Sequence, residues 1–133
     1  MRRYIIILLS VFLLLSACKG VDSKTNVQVT QVTTLQENGK YYVVLGVIVQ
    51  ENSNKEIYYE SVSIEGIEVD EQFLANDVMN NTPDVFFSNK IPSSTLLETD
   101  KLYNIVLISE NPSLIEFQKA YINFNNYTLE YNR

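Results

Sequence analysis

The sequence predicts an all-β domain, a sandwich of about seven short strands with one or two short helical turns, behind a removable leader. Three observations carry that expectation. β-Branched and aromatic residues gather into short runs separated by Asn, Asp, Ser and Gly. Turn signals recur about every ten residues, the spacing of sandwich strands. One run, Tyr41 to Val49, is apolar at successive positions apart from Gly46, as a central strand covered on both faces must be. No Pro- or Gly-rich linker and no internal repeat divides the chain, so 26–133 reads as one domain.

The first strand is expected over Asn26 to Thr34, with Val27 and Val29 on one face. Glu37-Asn38-Gly39-Lys40 is a hairpin turn, because Asn-Gly reaches positive φ cheaply. After the central run, Asn52-Ser53-Asn54-Lys55 makes the next turn and Ile57 to Ile64 the next strand. Val62 and Ile64 share one parity, Ile67 and Val69 the other, so a bulge or tight turn is expected at Gly66. Phe73, Leu74 and Val78 have helical spacing, which predicts a helical turn within Glu71 to Met79, ended by Asn80-Asn81-Thr82-Pro83. Val85-Phe86-Phe87 reads as a brief strand and Lys101 to Ser109 as a longer one. Asn111-Pro112-Ser113 can start a helical turn, with Ser113 and Glu116 spaced as a capping box. Residues 120–131 form either a hairpin or one bulged strand, since the alternation changes parity across Asn125-Asn126.

Leu97-Glu98-Thr99-Asp100-Lys101-Leu102-Tyr103, followed by Ile105 and Leu107, resembles the tyrosine corner of fibronectin type III and related immunoglobulin-like domains. The resemblance implies an immunoglobulin-like sandwich in which the Tyr103 hydroxyl bonds back to the upstream backbone. The Pro and Gly usual between Leu and Tyr are missing here, and the chain has no Trp for the core.

The leader is the most specific signal. Arg2 and Arg3 precede an apolar run, Tyr4 to Leu15, of about twelve residues, which suits a signal-peptide core and falls short of the roughly 20 of a spanning helix. Leu15-Ser16-Ala17-Cys18 then resembles the bacterial lipobox. That resemblance implies diacylglycerol on the Cys18 thiol, cleavage of residues 1–17, and a lipid-bearing Cys18 as first residue of the mature chain. It is the sole Cys, so an exported product would have no internal disulfide, and lipidation accounts for the unpaired thiol. Two acyl chains give stable anchoring where one is marginal. Residues 18–25 form the lipidated start and a polar tether. Lys19 to Thr25 spans at most about 23 Å when extended, which keeps the domain close to the bilayer of the bacterial envelope.

Composition narrows the chemistry. Removing residues 1–17 from the 133 leaves 116, and eight basic residues against 16 acidic ones, a side-chain balance of −8. Such a surface disfavours nucleic acid and basic-patch adhesion to anionic lipid. There is no His, and the one Cys is committed to lipid, which removes Ser-His and Cys-His catalysis and the usual zinc and copper sites. No Gly-rich phosphate loop appears, and no enzyme activity or cofactor is expected. Glu65, Glu68 and Asp70 lie in the densest acidic stretch and are the candidates for a hard-cation site such as Ca²⁺, against the plain reading of a charged sheet edge. Tyr127 and Tyr131 are the candidates for a partner surface, because Tyr offers apolar area with a polar tip. The expected function is a non-enzymatic, membrane-anchored module docking on another envelope protein. Binding of a small ligand or divalent cation is the second reading, and immunity or inhibition toward an envelope-acting toxin or hydrolase the third.

Overall fold

The computed structural model describes residues 27–50, 56–77 and 82–133. The leader, Cys18, the tether, the Asn52–Lys55 turn and the Asn80-Asn81 stop signal lie outside or mostly outside the described residues.

β1 (Val27–Glu37) and β2 (Lys40–Val49) make the first hairpin. Its turn puts Asn38 at φ 55° and Gly39 at φ 77°, both left-handed, which matches the twist of the flanking strands. A bulge between Val29 and Gln31 shifts the parity of β1, so that Val27, Val29 and Val32 all turn toward the core. Opposite the bulge, a Cβ on Gly46 would stand 2.8 Å from the Gln31 Cγ, so the residue that interrupts the apolar run makes room for its neighbour.

β3 (Tyr59–Ile64) follows, then a tight turn at Gly66, whose φ of 79° a side chain would strain. The Ile67 N–H donates to the Ile64 carbonyl across it. Next come β4 (Glu71–Asn76), helix α1 (Pro83–Ser88), β5 (Lys90–Ile91), β6 (Leu102–Ser109), a 3-10 helix (Pro112–Glu116), β7 (Lys119–Phe124) and β8 (Thr128–Asn132). The strands form two antiparallel sheets, β1-β2-β6-β4-β5 and β3-β7-β8. The domain is therefore all-β and sandwich-like, with eight strands among the described residues.

Three local expectations are corrected. Glu71–Asn76 is a strand rather than a helical turn: Phe73, Leu74 and Ala75 are consecutive and all buried because β4 is covered on both faces. Val85-Phe86-Phe87 is helical rather than extended; Pro83 opens α1 and Asp84 sits in its first turn, both favourable at a helix N-terminus. The 3-10 helix is capped by Asn111, whose Oδ1 accepts from the Ser113 N–H, and not by Ser113. The chain ends in a hairpin, resolving the choice left at 120–131.

Two hydrophobic layers result. The larger one lies between the sheets, where Val43, Leu45 and Val47 of β2 and Ile105 and Leu107 of β6 meet Tyr59, Val62 and Ile64 of β3 and Ala120, Ile122 and Phe124 of β7. The second covers the opposite side of the five-stranded sheet. There Tyr42, Val44, Phe73, Ala75, Val106 and Ile108 pack with Phe86 of α1, which is fully buried. β2 is thus buried on both faces, as its sequence predicts.

Candidate functional site

The acidic candidates do not converge. The Asp70 carboxylate accepts from the Glu110 N–H at 2.9 Å, the Glu68 carbonyl accepts from the Ser109 hydroxyl at 3.1 Å, and the Glu65 N–H donates to the Lys119 carbonyl at 3.1 Å. The first two tie the Gly66 loop to the end of β6 and the third ties it to the start of β7. Among the described residues no three His, Cys, Asp or Glu side chains gather where they could hold a metal ion.

Tyr127 and Tyr131 stand on the core side of the last hairpin. Tyr127 lies 5.3 Å from the Phe124 ring and Tyr131 6.4 Å from the Phe117 ring, both half-buried against the inter-sheet layer. Their apolar area is largely spent on packing. The Tyr103 hydroxyl accepts from the Glu98 backbone N–H at 2.8 Å, the upstream bond that the tyrosine-corner resemblance implies.

The outer side of the β3-β7-β8 sheet has no covering element among the described residues. Ser61 and Ser63 of β3, Tyr121 and Asn123 of β7, and Thr128 and Glu130 of β8 line it. Cross-strand hydrogen bonds hold them in place: Asn123 Nδ2 donates to the Ser61 hydroxyl at 2.9 Å, and the Thr128 hydroxyl donates to Asn123 Oδ1 at 2.7 Å. Lys119 and Glu130 pair at 3.2 Å. The hydrogen bond from Lys119, and then that from Asn132, holds the Glu130 carboxyl below its ordinary value, while the same bond pushes the Lys119 ammonium up. Tyr121 rises from the middle of this polar lattice, paired with Ser63 on one side and Glu130 on the other.

A groove opens at the side of the sandwich where β3 and β5 form the sheet edges. One lobe, of about 400 Å³, is lined by Tyr58, Tyr59, Glu60, Ser93, Ser94 and Asn125. A second, of about 240 Å³, shares Tyr59, Glu60 and Ser93 and continues to Gln72, Lys90 and Pro92. Its floor is a hydrogen bond between the sheets, in which the Tyr59 hydroxyl donates to Gln72 Oε1. Burial pushes the Tyr59 hydroxyl far up, so it remains a donor. Asn125 pins one wall: its Oδ1 accepts from the Tyr58 N–H at 2.9 Å, its own N–H donates to the Tyr58 carbonyl at 3.1 Å, and its Nδ2 donates to the Glu56 carbonyl at 3.1 Å. The Tyr58 hydroxyl donates to Glu56 at 3.1 Å, a bond that raises its pKa. Next to Tyr58, the Ile57 carbonyl accepts from the Leu97 N–H, and the same 97–100 segment reaches β2, where the Asp100 N–H donates to the carbonyl of Val49, the partner of Val27.

The groove is not legible in the sequence because its walls come from four separate stretches of chain. Asn125, which pins one wall, shows in the sequence only as the point where the alternation of 120–131 changes parity. Among the described residues no helix is long and apolar enough to cross a membrane. No protein-family model, no curated protein and no solved structure matches this chain.

Proposed function

We propose that this chain is the precursor of a bacterial lipoprotein whose domain is an immunoglobulin-like, non-enzymatic interaction module, docking an envelope protein through the outer side of β3-β7-β8. The observation that carries the docking face is the lack of a cover: α1 packs on β2, β4 and β6 at the outer side of the five-stranded sheet, whereas no described element covers Tyr121 and its polar neighbours, which are half-buried to exposed. A flat face of hydrogen-bonded polar groups around one aromatic ring suits a specific protein contact, since the side chains are ordered before binding.

The immunoglobulin-like reading draws on strand order. β1-β2-β6-β4 opposite β3-β7-β8 follows the A-B-E-D and C-F-G sheets of constant-type immunoglobulin domains. In that correspondence β6 takes the E position, whereas the tyrosine corner of those domains belongs to strand F, so the topology supports the reading more strongly than Tyr103 does. The anchor draws on Leu15-Ser16-Ala17-Cys18 after a short basic and apolar leader.

Two experiments test this. Mass spectrometry of the cell-purified protein should find diacylglycerol on Cys18 and residues 1–17 absent; a free thiol or a retained leader overturns the anchor. A photo-crosslinking residue at Tyr121 should trap one recurring envelope protein, and the same residue at Asn38 should not. Recovery of the lipoprotein alone, or equal trapping from Asn38, overturns the docking face.

A further inference from the structure

We propose that the groove between β3 and the Pro92–Thr95 turn is a binding site for a neutral saccharide of one or two rings. Its larger lobe has the size of a small-ligand site, and both lobes share a common wall. The wall chemistry selects among ligand classes. A sugar ring presents a C–H face and a rim of hydroxyls, and so wants an aromatic platform beside fixed acceptors and donors. Tyr58 supplies the platform, and it is immobilised twice, at its hydroxyl by Glu56 and at its backbone by Asn125. Glu60 offers a carboxylate that can accept from two adjacent hydroxyls, and Ser93 and Ser94 offer groups that donate or accept.

Other occupants fit less well. A bare cation needs several oxygen ligands, and among the described residues Glu60 is the one carboxylate on the larger lobe. Anionic ligands meet Glu60 in the wall that both lobes share, and Lys90, at the far end, is already placed 3.9 Å from Glu71 and 5.0 Å over the Phe73 ring. An extended peptide would have to pair with a strand edge. The β3 edge is bulged at Glu60, between Tyr59 and Ser61, and β5 is two residues long and followed by Pro92. Bulge, charge and proline each block strand addition. The Tyr59–Gln72 hydrogen bond closes the floor and ties the sheets together there, so the site is formed before a ligand arrives.

The site is independent of the docking face, and its test does not depend on that reading. The protein as purified from cells, held in a detergent without a sugar headgroup, is titrated with N,N′-diacetylchitobiose, maltose and cellobiose while tyrosine fluorescence is followed; no Trp obscures it. At least one sugar should give a saturable change with a dissociation constant in the millimolar range, as a shallow site implies. Tyr58→Ala and Glu60→Gln should each weaken it about tenfold or more, and Lys40→Ala, on the exposed first hairpin, should leave it unchanged. Should Tyr58→Ala fail to fold, Ser93→Ala with Ser94→Ala, on an exposed turn, takes its place with the same expectation. Absence of a saturable response to all three sugars overturns the site. So does a response that Glu60→Gln leaves intact, or one given only by a short alanine peptide.

Discussion

The two sheets of this sandwich solve the same burial problem in opposite ways. The inner strands of the five-stranded sheet, β2, β6 and β4, are apolar on both sides, one toward the other sheet and one beneath α1. The three-stranded sheet buries one side and leaves the other as a lattice of polar side chains. The difference separates stability from recognition. A side chain beneath α1 has no solvent to return to, so its loss leaves a void. One on the open lattice keeps its water in either state.

The strongest way to break the comparison is to uncover the doubly buried sheet. Phe86→Ala removes the fully buried ring through which α1 seals Val44, Phe73 and Val106. It should cost about 3–5 kcal/mol in a urea titration of residues 26–133. A matched pair sharpens the point. Val106→Ser, on the covered side of β6, should cost about 3 kcal/mol, combining a cavity with a buried hydroxyl. Tyr121→Ser, on the open side of β7, should change stability by about 0.5 kcal/mol or less. Similar values for the pair would mean that the β3-β7-β8 face is covered in solution.

Where the sheets are bridged, a different quantity is at stake. Tyr59→Phe keeps the ring and leaves the Gln72 carbonyl without its donor, which should cost about 1–2 kcal/mol at neutral pH. The sign of its pH dependence follows from burial, which raises the Tyr59 pKa above the unfolded value. The hydroxyl's contribution is therefore complete below about pH 10, the ordinary tyrosine value, and is lost as pH rises further. Wild-type protein should lose stability above that pH more steeply than the Phe variant, read from melting temperatures across alkaline buffers. Parallel curves would show that Tyr59 is not the group responsible.

The same contrast decides what was legible in the sequence. Tyr42 to Val47 announces itself because a strand buried on both faces has no polar alternation to confuse with anything else. The hairpin at Asn38-Gly39 and the turn at Gly66 are legible because positive φ restricts the residues that can occupy them. Double burial also misleads. Phe73-Leu74-Ala75 loses its alternation for the same reason as β2, but it is short enough to pass for one face of a helix. Val85-Phe86-Phe87 looks extended because Phe87 stays 41% exposed beside its buried neighbour, a pattern a surface helix also produces. Pro83 and Asp84 held the correct answer. For the candidate sites, the acidic stretch and the terminal tyrosines stand out by composition, yet they serve to anchor a loop and to fill the core margin. Composition reports residue type, whereas a site needs convergence, and the groove draws Tyr58, Ser93 and Asn125 together only through the sandwich packing.

The smallest effect is expected where the lattice is most ionic. Lys119 and Glu130 meet across β7 and β8 at the surface, both partly exposed, where screening and side-chain entropy offset most of the attraction. Because the Glu130 pKa is lowered, the pair's contribution is present above the ordinary carboxylate range and fades as pH falls through the folded-state value. Because the Lys119 pKa is raised, the contribution is also present below the ordinary lysine value and fades as pH rises through the folded one. Glu130→Gln should therefore leave the melting temperature near pH 7 almost unchanged and slightly flatten its decline on the acid side. It should have a larger effect on crosslinking from Tyr121, because Glu130 is its cross-strand neighbour on the proposed docking face. A loss of stability comparable to that of Val106→Ser would show instead that this pair supports the fold, and that the open sheet is held together by its outer side.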